Sequence, residues 1–238
     1  MPHIILRNPK LGYCLALLVI AAFKLWLVSA IAIFGQTWAG HDDRLFINLA
    51  ASLIQHHWLG SYDQYLLIKG PGFSFWLTLL HWLHVPLILG NSALSIIAAT
   101  IFSWAISRLT GSYLLALLCY TVLVFNMDIN HRVVRESFYA PLTLLLFSLI
   151  TLQLVYYGVK KELSLVGIFI FSALLAWYWV IREEGIWIIP SLLMNIFLLA
   201  YLIYRQKKNH SNYVPPFFII ISAFYSTVHR EYRYCEYQ

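Results

Sequence analysis

Long apolar runs broken only by short polar clusters dominate this chain, and they make a bilayer the environment in which it folds. The runs fall at about 11–35, 71–89, 92–107, 112–127, 138–158, 163–181, 186–204 and 214–228. A hydrocarbon core about 30 Å thick is crossed by about 20 helical residues. Inside it, each spanning segment must satisfy its own backbone hydrogen bonds. The expected fold class is therefore all-α, a polytopic transmembrane helix bundle. Composition agrees: the 238 residues are 61% hydrophobic and 11% charged, where a soluble domain is about half apolar and about a quarter charged. There is room for roughly seven or eight spans and none for a large soluble domain, so residues 1–238 read as a single membrane domain.

Sixteen Lys and Arg against ten Asp and Glu give a formal charge of +6. Most of the excess lies in short connections between runs, where cytoplasmic loops collect cations; nucleic acid is excluded as a partner. Cys14, Cys119 and Cys235 have neither metal-site nor disulfide spacing. The run after Lys10 is long, carries Lys24 and lacks a small-residue cleavage site before Trp38, so it reads as a retained first span. Lys24, near its middle, calls for an internal partner, because a cation at that depth faces protein or water rather than lipid.

Arg7 with Lys10, Lys160 with Lys161, and Arg205, Lys207 and Lys208 are the cytoplasmic anchors. Span one then delivers the loop at about 36–70 to the outside. Counting back from Lys207 places Arg182, Glu183 and Glu184 outside, and the segment from Asp128 to Ser137 with them. Parity conflicts with this: three apolar runs lie between Lys69 and Asp128, yet two outside ends require an even number of crossings. The reading adopted is that 92–107 and 112–127 do not both cross fully; the alternative puts Arg132, Arg135 and Glu136 in the cytoplasm.

The first loop carries the densest pattern. After Asp42-Asp43-Arg44, Leu45, Leu49 and Leu53 recur every four residues with Phe46, Ala50 and Ile54 beside them. That predicts an amphipathic juxtamembrane helix lying on the membrane, with Asp42 or Asp43 at its N-cap. Trp58-Leu59-Gly60-Ser61-Tyr62 follows, then Lys69-Gly70-Pro71-Gly72, with Pro71 starting span two. The paired aspartates have two readings: helix capping, or a base or metal-binding carboxylate facing a lipid phosphate. Lys69 is either a headgroup-level cation or a point charge on a donor phosphate.

This arrangement resembles the bacterial GT-C membrane glycosyltransferases, which include protein mannosyltransferases and lipid A aminoarabinose transferases. The likeness rests on Asp42-Asp43, Trp58-Leu59-Gly60-x-Tyr62 and Lys69-Gly70-Pro71, and it covers about residues 12–205. Arg135-Glu136-x-x-Tyr139 and Arg182-Glu183-Glu184-Gly185 look like the later polar clusters of one bacterial branch. The resemblance implies an enzyme of the bacterial inner membrane, working on its extracytoplasmic face. Its partners would be membrane lipids and a sugar carried on a polyprenyl phosphate, with a glycan, lipid or protein as acceptor. Asp42 or Asp43, with Asp43 preferred, would be the catalytic acid residue. Lys69, Arg132, Arg135 and Arg182 would hold the donor phosphate, supported by Glu136, Glu183, Glu184, Trp58 and Tyr62. No cofactor is specified; the chemistry admits a divalent cation, but no residue spacing names its ligands.

The clusters at Arg132–Glu136 and Arg182–Glu184 have a plainer reading as solvated turns, and Trp58 and Tyr62 as interfacial anchors. His41, His56, His57, His81, His84 and His131 lack metal-ligand spacing, and no metal site is expected from them. Members of the resembled family continue for several more spans, whereas this chain ends in a charged, tyrosine-rich segment. That leaves a second expectation: a truncated, non-catalytic membrane protein or subunit that keeps the fold. A transporter is a weaker third, since paired broken helices in repeated halves are absent from the sequence.

Overall fold

The computed structural model describes residues 9–32, 42–58, 70–126, 132–160 and 164–181, with isolated positions at 189–190, 193–194, 197 and 201. Among the described residues the chain forms helices and no strand: α1 (Pro9–Ser29), α2 (Asp42–Ile54), α3 (Gly72–Trp82), α4 (Leu87–Thr110), α5 (Tyr113–Asn126), α6 (Glu136–Lys160) and α7 (Leu165–Ile181). Three of these, α1, α4 and the Glu136–Tyr157 stretch of α6, are long and apolar enough to cross a bilayer. Helices α5 and α7 are shorter apolar helices. The expected runs at 186–204 and 214–228 lie essentially outside the described residues.

Helix α4 is the centre of the bundle, packing on α1, α5 and α6. Its buried positions are mostly small, Gly90, Ser92, Ser95, Ala98, Ala99, Ser103, Ala105 and Ser107. In lipid, where tails are as apolar as leucine, close backbone approach along small residues is what favours helix association. Helix α4 stops at Gly111, whose φ of 73° places it in the left-handed region and whose N–H bonds the Ser107 carbonyl; a Cβ is disfavoured there.

Contacts along the helices fix their directions. Tyr13 packs on Tyr113, the Tyr120 hydroxyl donates to the Leu17 carbonyl at 3.3 Å, and Phe23 meets Phe125. Helices α1 and α5 therefore run parallel, and α4 runs against both. Ser103 donates to the Ala116 carbonyl at 2.7 Å. Its single hydrogen is thus committed, so the Tyr13 hydroxyl, 2.7 Å away, must donate to Ser103. Lys24 is buried on the same α1 face, its ammonium 5.6 Å from the centre of the Phe125 ring. The aromatic face is the internal partner found for it, a cation–π contact.

Trp76 of α3 stacks on Phe138 of α6 at 4.7 Å and donates through Nε1 to Asn91 Oδ1 of α4 at 2.9 Å. The first turns of α4 and α6 are thus neighbours. Tyr139 stacks on Tyr178 at 4.3 Å, so α7 returns antiparallel to α6. One end of the bundle, called here the near end, gathers the starts of α4 and α6 and the finish of α7. At the far end Gln153 holds Ser164 through two hydrogen bonds, and the Ser164 hydroxyl caps α7 at the Gly167 N–H.

The expectation of a second span over 71–89 is corrected. The run breaks after Trp82, and α3 has 11 residues, about 16 Å at 1.5 Å per residue, too short for a core of about 30 Å. The turn through His84 (φ 55°) and Pro86 separates α3 from α4, since proline cannot sit inside a continuous helix without loss of a hydrogen bond. Helix α3 stays at the near end, and α4, with 24 residues, is long enough to cross. Helix α5 has 14 residues, about 21 Å at the same rise, in keeping with the expectation that 92–107 and 112–127 do not both cross fully.

Helix α2 is amphipathic as its sequence predicts, burying Phe46, Leu49 and Ala50 while Ile47 and Asn48 face outward. It packs parallel to α3: Ser74 donates to the Phe46 carbonyl at 3.3 Å and Thr78 to the Ala50 carbonyl at 3.5 Å. Both helices close alike. The His57 N–H bonds the Ser52 carbonyl at 2.9 Å around His56 (φ 62°), and the Val85 N–H bonds the Leu80 carbonyl at 3.0 Å around His84. These are Schellman caps with histidine where glycine is usual.

Candidate functional site

The polar groups of the near end rest on an aromatic floor. Phe46 meets Phe73 edge-on at 5.2 Å, Phe73 touches Phe138, and Phe138 lies between Trp76 and Trp177. Val133, Leu142 and Ile181 complete the layer. Four separate segments, α2, α3, the approach to α6, and α7, thus anchor in one apolar cluster and bring their polar neighbours together.

Asp43, in the first turn of α2, is 1% exposed. Its Oδ2 accepts from Arg132 Nε at 3.3 Å and its Oδ1 from Arg132 Nη2 at 3.2 Å. This two-point geometry is what the planar guanidinium offers a carboxylate. Position helps as well, since an anion in the first turn is stabilised by the positive end of the helix dipole. Arg132 keeps 46% of its side chain exposed, so its outer edge remains accessible while its inner edge covers the acid. Asp42 opens α2; its side chain is outside the described residues.

Arg135 is buried, its Nε 3.8 Å from Glu136 Oε1, and Glu136 is largely exposed. The Arg135 carbonyl accepts from the Phe138 and Tyr139 N–H groups at 3.0 and 2.8 Å, which pins the first turn of α6. Arg132, Arg135 and Glu136 therefore lie at the same end of the bundle as Asp43.

The Gly70-Pro71-Gly72 entry to α3 lies against the last turn of α7. A Cβ at Gly70 would collide with the Val180 carbonyl, and one at Gly72 would meet the Ile181 nitrogen at 2.9 Å. Trp177 Nε1 donates to the Gly72 carbonyl at 3.1 Å across the same seam. The chain enters this seam from Lys69 and leaves it toward Arg182. Lys69, Arg182, Glu183, Glu184 and Tyr62 themselves lie outside the described residues. Trp58 is 72% exposed, with its ring 5.8 Å from that of Phe75.

Sequence reasoning missed the floor. Trp76 and Trp177 sit in apolar runs and look like interfacial aromatics; the glycine pair around Pro71 was the available signal that another backbone approaches closely. Among the described residues no three His, Cys, Asp or Glu side chains come together as a metal site would require. Chemically, the arrangement offers a buried carboxylate, a half-exposed guanidinium able to take an anion, and an apolar floor beneath them.

Among the described residues the fold and site define a helical bundle, with three helices long and apolar enough to cross a membrane and an acid–arginine pair at one end. No family model, no curated protein and no solved structure matches the chain.

Proposed function

We propose that this chain is a membrane glycosyltransferase of the GT-C type, transferring a sugar from a polyprenyl-phosphate donor to a glycan, lipid or protein acceptor. The observation that carries the reading is the meeting of Asp43, from the first loop, with Arg132, from a later polar cluster, at one end of the bundle. Arg132 holds the donor phosphate, with Arg135 behind it; Lys69 and Arg182 take the phosphate roles that the resemblance implies. Asp43 accepts the proton of the acceptor hydroxyl. The acceptor oxygen bonds the sugar's anomeric carbon as the bond from that carbon to the phosphate oxygen breaks, and the polyprenyl phosphate leaves with the electron pair. General-base assistance of this kind is worth about 10²–10⁴-fold. The near end is the extracytoplasmic face of a bacterial plasma membrane in this reading.

One observation favours the second reading, a non-catalytic GT-C-like membrane protein or subunit. Asp43 is almost wholly covered and doubly bonded to Arg132, which suits a staple between α2 and the approach to α6. Assay of purified Asp43→Asn and Asp42→Asn chains with polyprenyl-phosphate sugars separates the two. The enzyme reading expects Asp43→Asn to lose about 10²-fold or more with normal membrane insertion. Full activity in the doubly substituted chain excludes these aspartates as the base, and no transfer by the wild-type chain from any such donor favours the staple.

A further inference from the structure

Asp43 is closed off in this structure. It is 1% exposed, and each carboxylate oxygen accepts a hydrogen bond from Arg132, Oδ2 from Nε at 3.3 Å and Oδ1 from Nη2 at 3.2 Å. A general base must bring a lone pair within about 2.6–3.2 Å of the group whose proton it takes. Under this cover Asp43 presents none that an acceptor hydroxyl can reach. The two partners are also held unequally. Asp43 sits in the first turn of α2, a helix fixed by the burial of Phe46, Leu49 and Ala50 and by the Ser74 and Thr78 bonds to its carbonyls. Arg132 lies outside any helix, on the approach to α6, and 46% of its side chain is exposed. The partner able to move is the guanidinium.

We infer that the Asp43–Arg132 pair is an autoinhibitory latch: the phosphate of a prenyl-phosphate carrier binds the exposed edge of Arg132, draws the guanidinium off Asp43 and so uncovers the carboxylate. The inference rests on the phosphate role given to Arg132 above. A guanidinium is a flat fork of N–H donors. Its Nε and Nη2 edge is committed to Asp43, which leaves Nη1 and the second hydrogen of Nη2 for the oxygens of a phosphate, a two-point geometry that arginine favours. Two anions brought to one guanidinium repel each other. The carboxylate is fixed to α2, so the separation is made by the arginine moving outward with its phosphate. The acid left behind still has the positive end of the α2 dipole beside it, which stabilises its charge once the arginine has gone. Coupled in this way, the base becomes available only where a donor is bound.

The test uses the full chain purified in detergent, with farnesyl phosphate as the prenyl-phosphate probe and farnesol as the same tail without a phosphate. A water-soluble carbodiimide and an amine tag the carboxylates that solvent reaches, and peptide mass spectrometry compares Asp43 with the largely exposed Glu136. Saturating farnesyl phosphate is expected to raise the tagging of Asp43 relative to Glu136 by about fivefold or more, the lower end of ordinary coupling between sites. Farnesol leaves it unchanged, and Arg132→Gln tags Asp43 without any ligand. Equilibrium dialysis of the same probe gives the second readout: Asp43→Asn binds it about fivefold or more tightly than the wild type, because no acid competes for the guanidinium. Saturable binding to the wild type with no rise in Asp43 tagging overturns the latch and leaves Arg132 as a phosphate ligand. Absence of saturable binding overturns the latch and the phosphate role together. An Asp43→Asn chain that binds no more tightly than the wild type overturns the latch as well, since the acid would then not be withholding the arginine. So does an Asp43 that stays untagged in Arg132→Gln, because its cover would then not be the guanidinium.

Discussion

Asp43 and Arg132, 89 positions apart in sequence, meet through two hydrogen bonds that close a buried carboxylate under a half-exposed guanidinium. The contact joins the first turn of α2 to the approach of α6. Its consequences for stability are separable from any catalytic role.

Removing one partner of a buried ion pair leaves the other uncompensated, at a cost of about 3–5 kcal/mol when both are buried. Arg132 is 46% exposed, so water compensates it once Asp43 is gone. Asp43→Asn should then destabilise by only about 1.5–3 kcal/mol, the value of a hydrogen bond to a charged group. Arg132→Gln should cost more, because the stranded group is the buried acid. Thermal unfolding in detergent measures both, and a double-mutant cycle should return a coupling of about 0.5–3 kcal/mol. Additive effects would mean that the pair does not form.

The seam between α3 and α7 predicts an asymmetry between two glycines. A methyl at Gly72 meets Ile181 Cγ1 at 2.7 Å and its backbone nitrogen at 2.9 Å, whereas one at Gly90 meets the Leu80 methyl groups at 2.6 Å. Backbone cannot step aside; the end of a leucine side chain can. Gly72→Ala should cost about 1–3 kcal/mol, Gly90→Ala clearly less. Equal losses in thermal stability would place the strain elsewhere.

Tyr13, Ser103 and the Ala116 carbonyl form a hydrogen-bonded relay that ties α1, α4 and α5. Ser103→Ala leaves both a hydroxyl and a carbonyl short of a partner. Within a bilayer such bonds average about 0.6 kcal/mol and reach about 1.7, and a loss in that range is expected. Tyr13→Phe in the Ser103→Ala background should cost less than Tyr13→Phe alone, since the hydroxyl it removes has already lost its acceptor. Refolding from denaturing detergent measures the difference.

Sidedness is open to direct measurement. With the native cysteines replaced, single cysteines at His57 and Arg132 should be labelled from one side of the membrane by an impermeant thiol reagent. One at Arg108, in the last turn of α4, should be labelled from the other. Labelling of all three from the same side would show that α4 does not cross.

Much of the fold was legible because lipid imposes one-dimensional rules. Apolar length gave α5, α6 and α7 to within two residues, whereas the run at 92–107 missed the first five residues of α4 and the run at 11–35 outlasted α1, which ends at Ser29. The four-residue spacing from Leu45 gave α2 and its buried face. The run at 71–89 misled because hydropathy averages over a break: His84 and Pro86 interrupt it chemically without making it polar. Lys24 announced the need for a partner, but which side chain would supply it depended on the parallel packing of α1 on α5.

What the sequence determined by itself is the helical, membrane-embedded class, since each span's hydrogen bonds and apolar surface are local properties of consecutive residues. It also marked Asp43 and Arg132 as candidate site residues. Only the tertiary structure decided that they belong together, that α3 stays at one end, and that Gly72 admits Ile181. Those outcomes depend on how Phe46, Phe73, Phe138 and Trp177 interlock across four separate segments, and pairings between distant side chains leave no periodic trace along the chain.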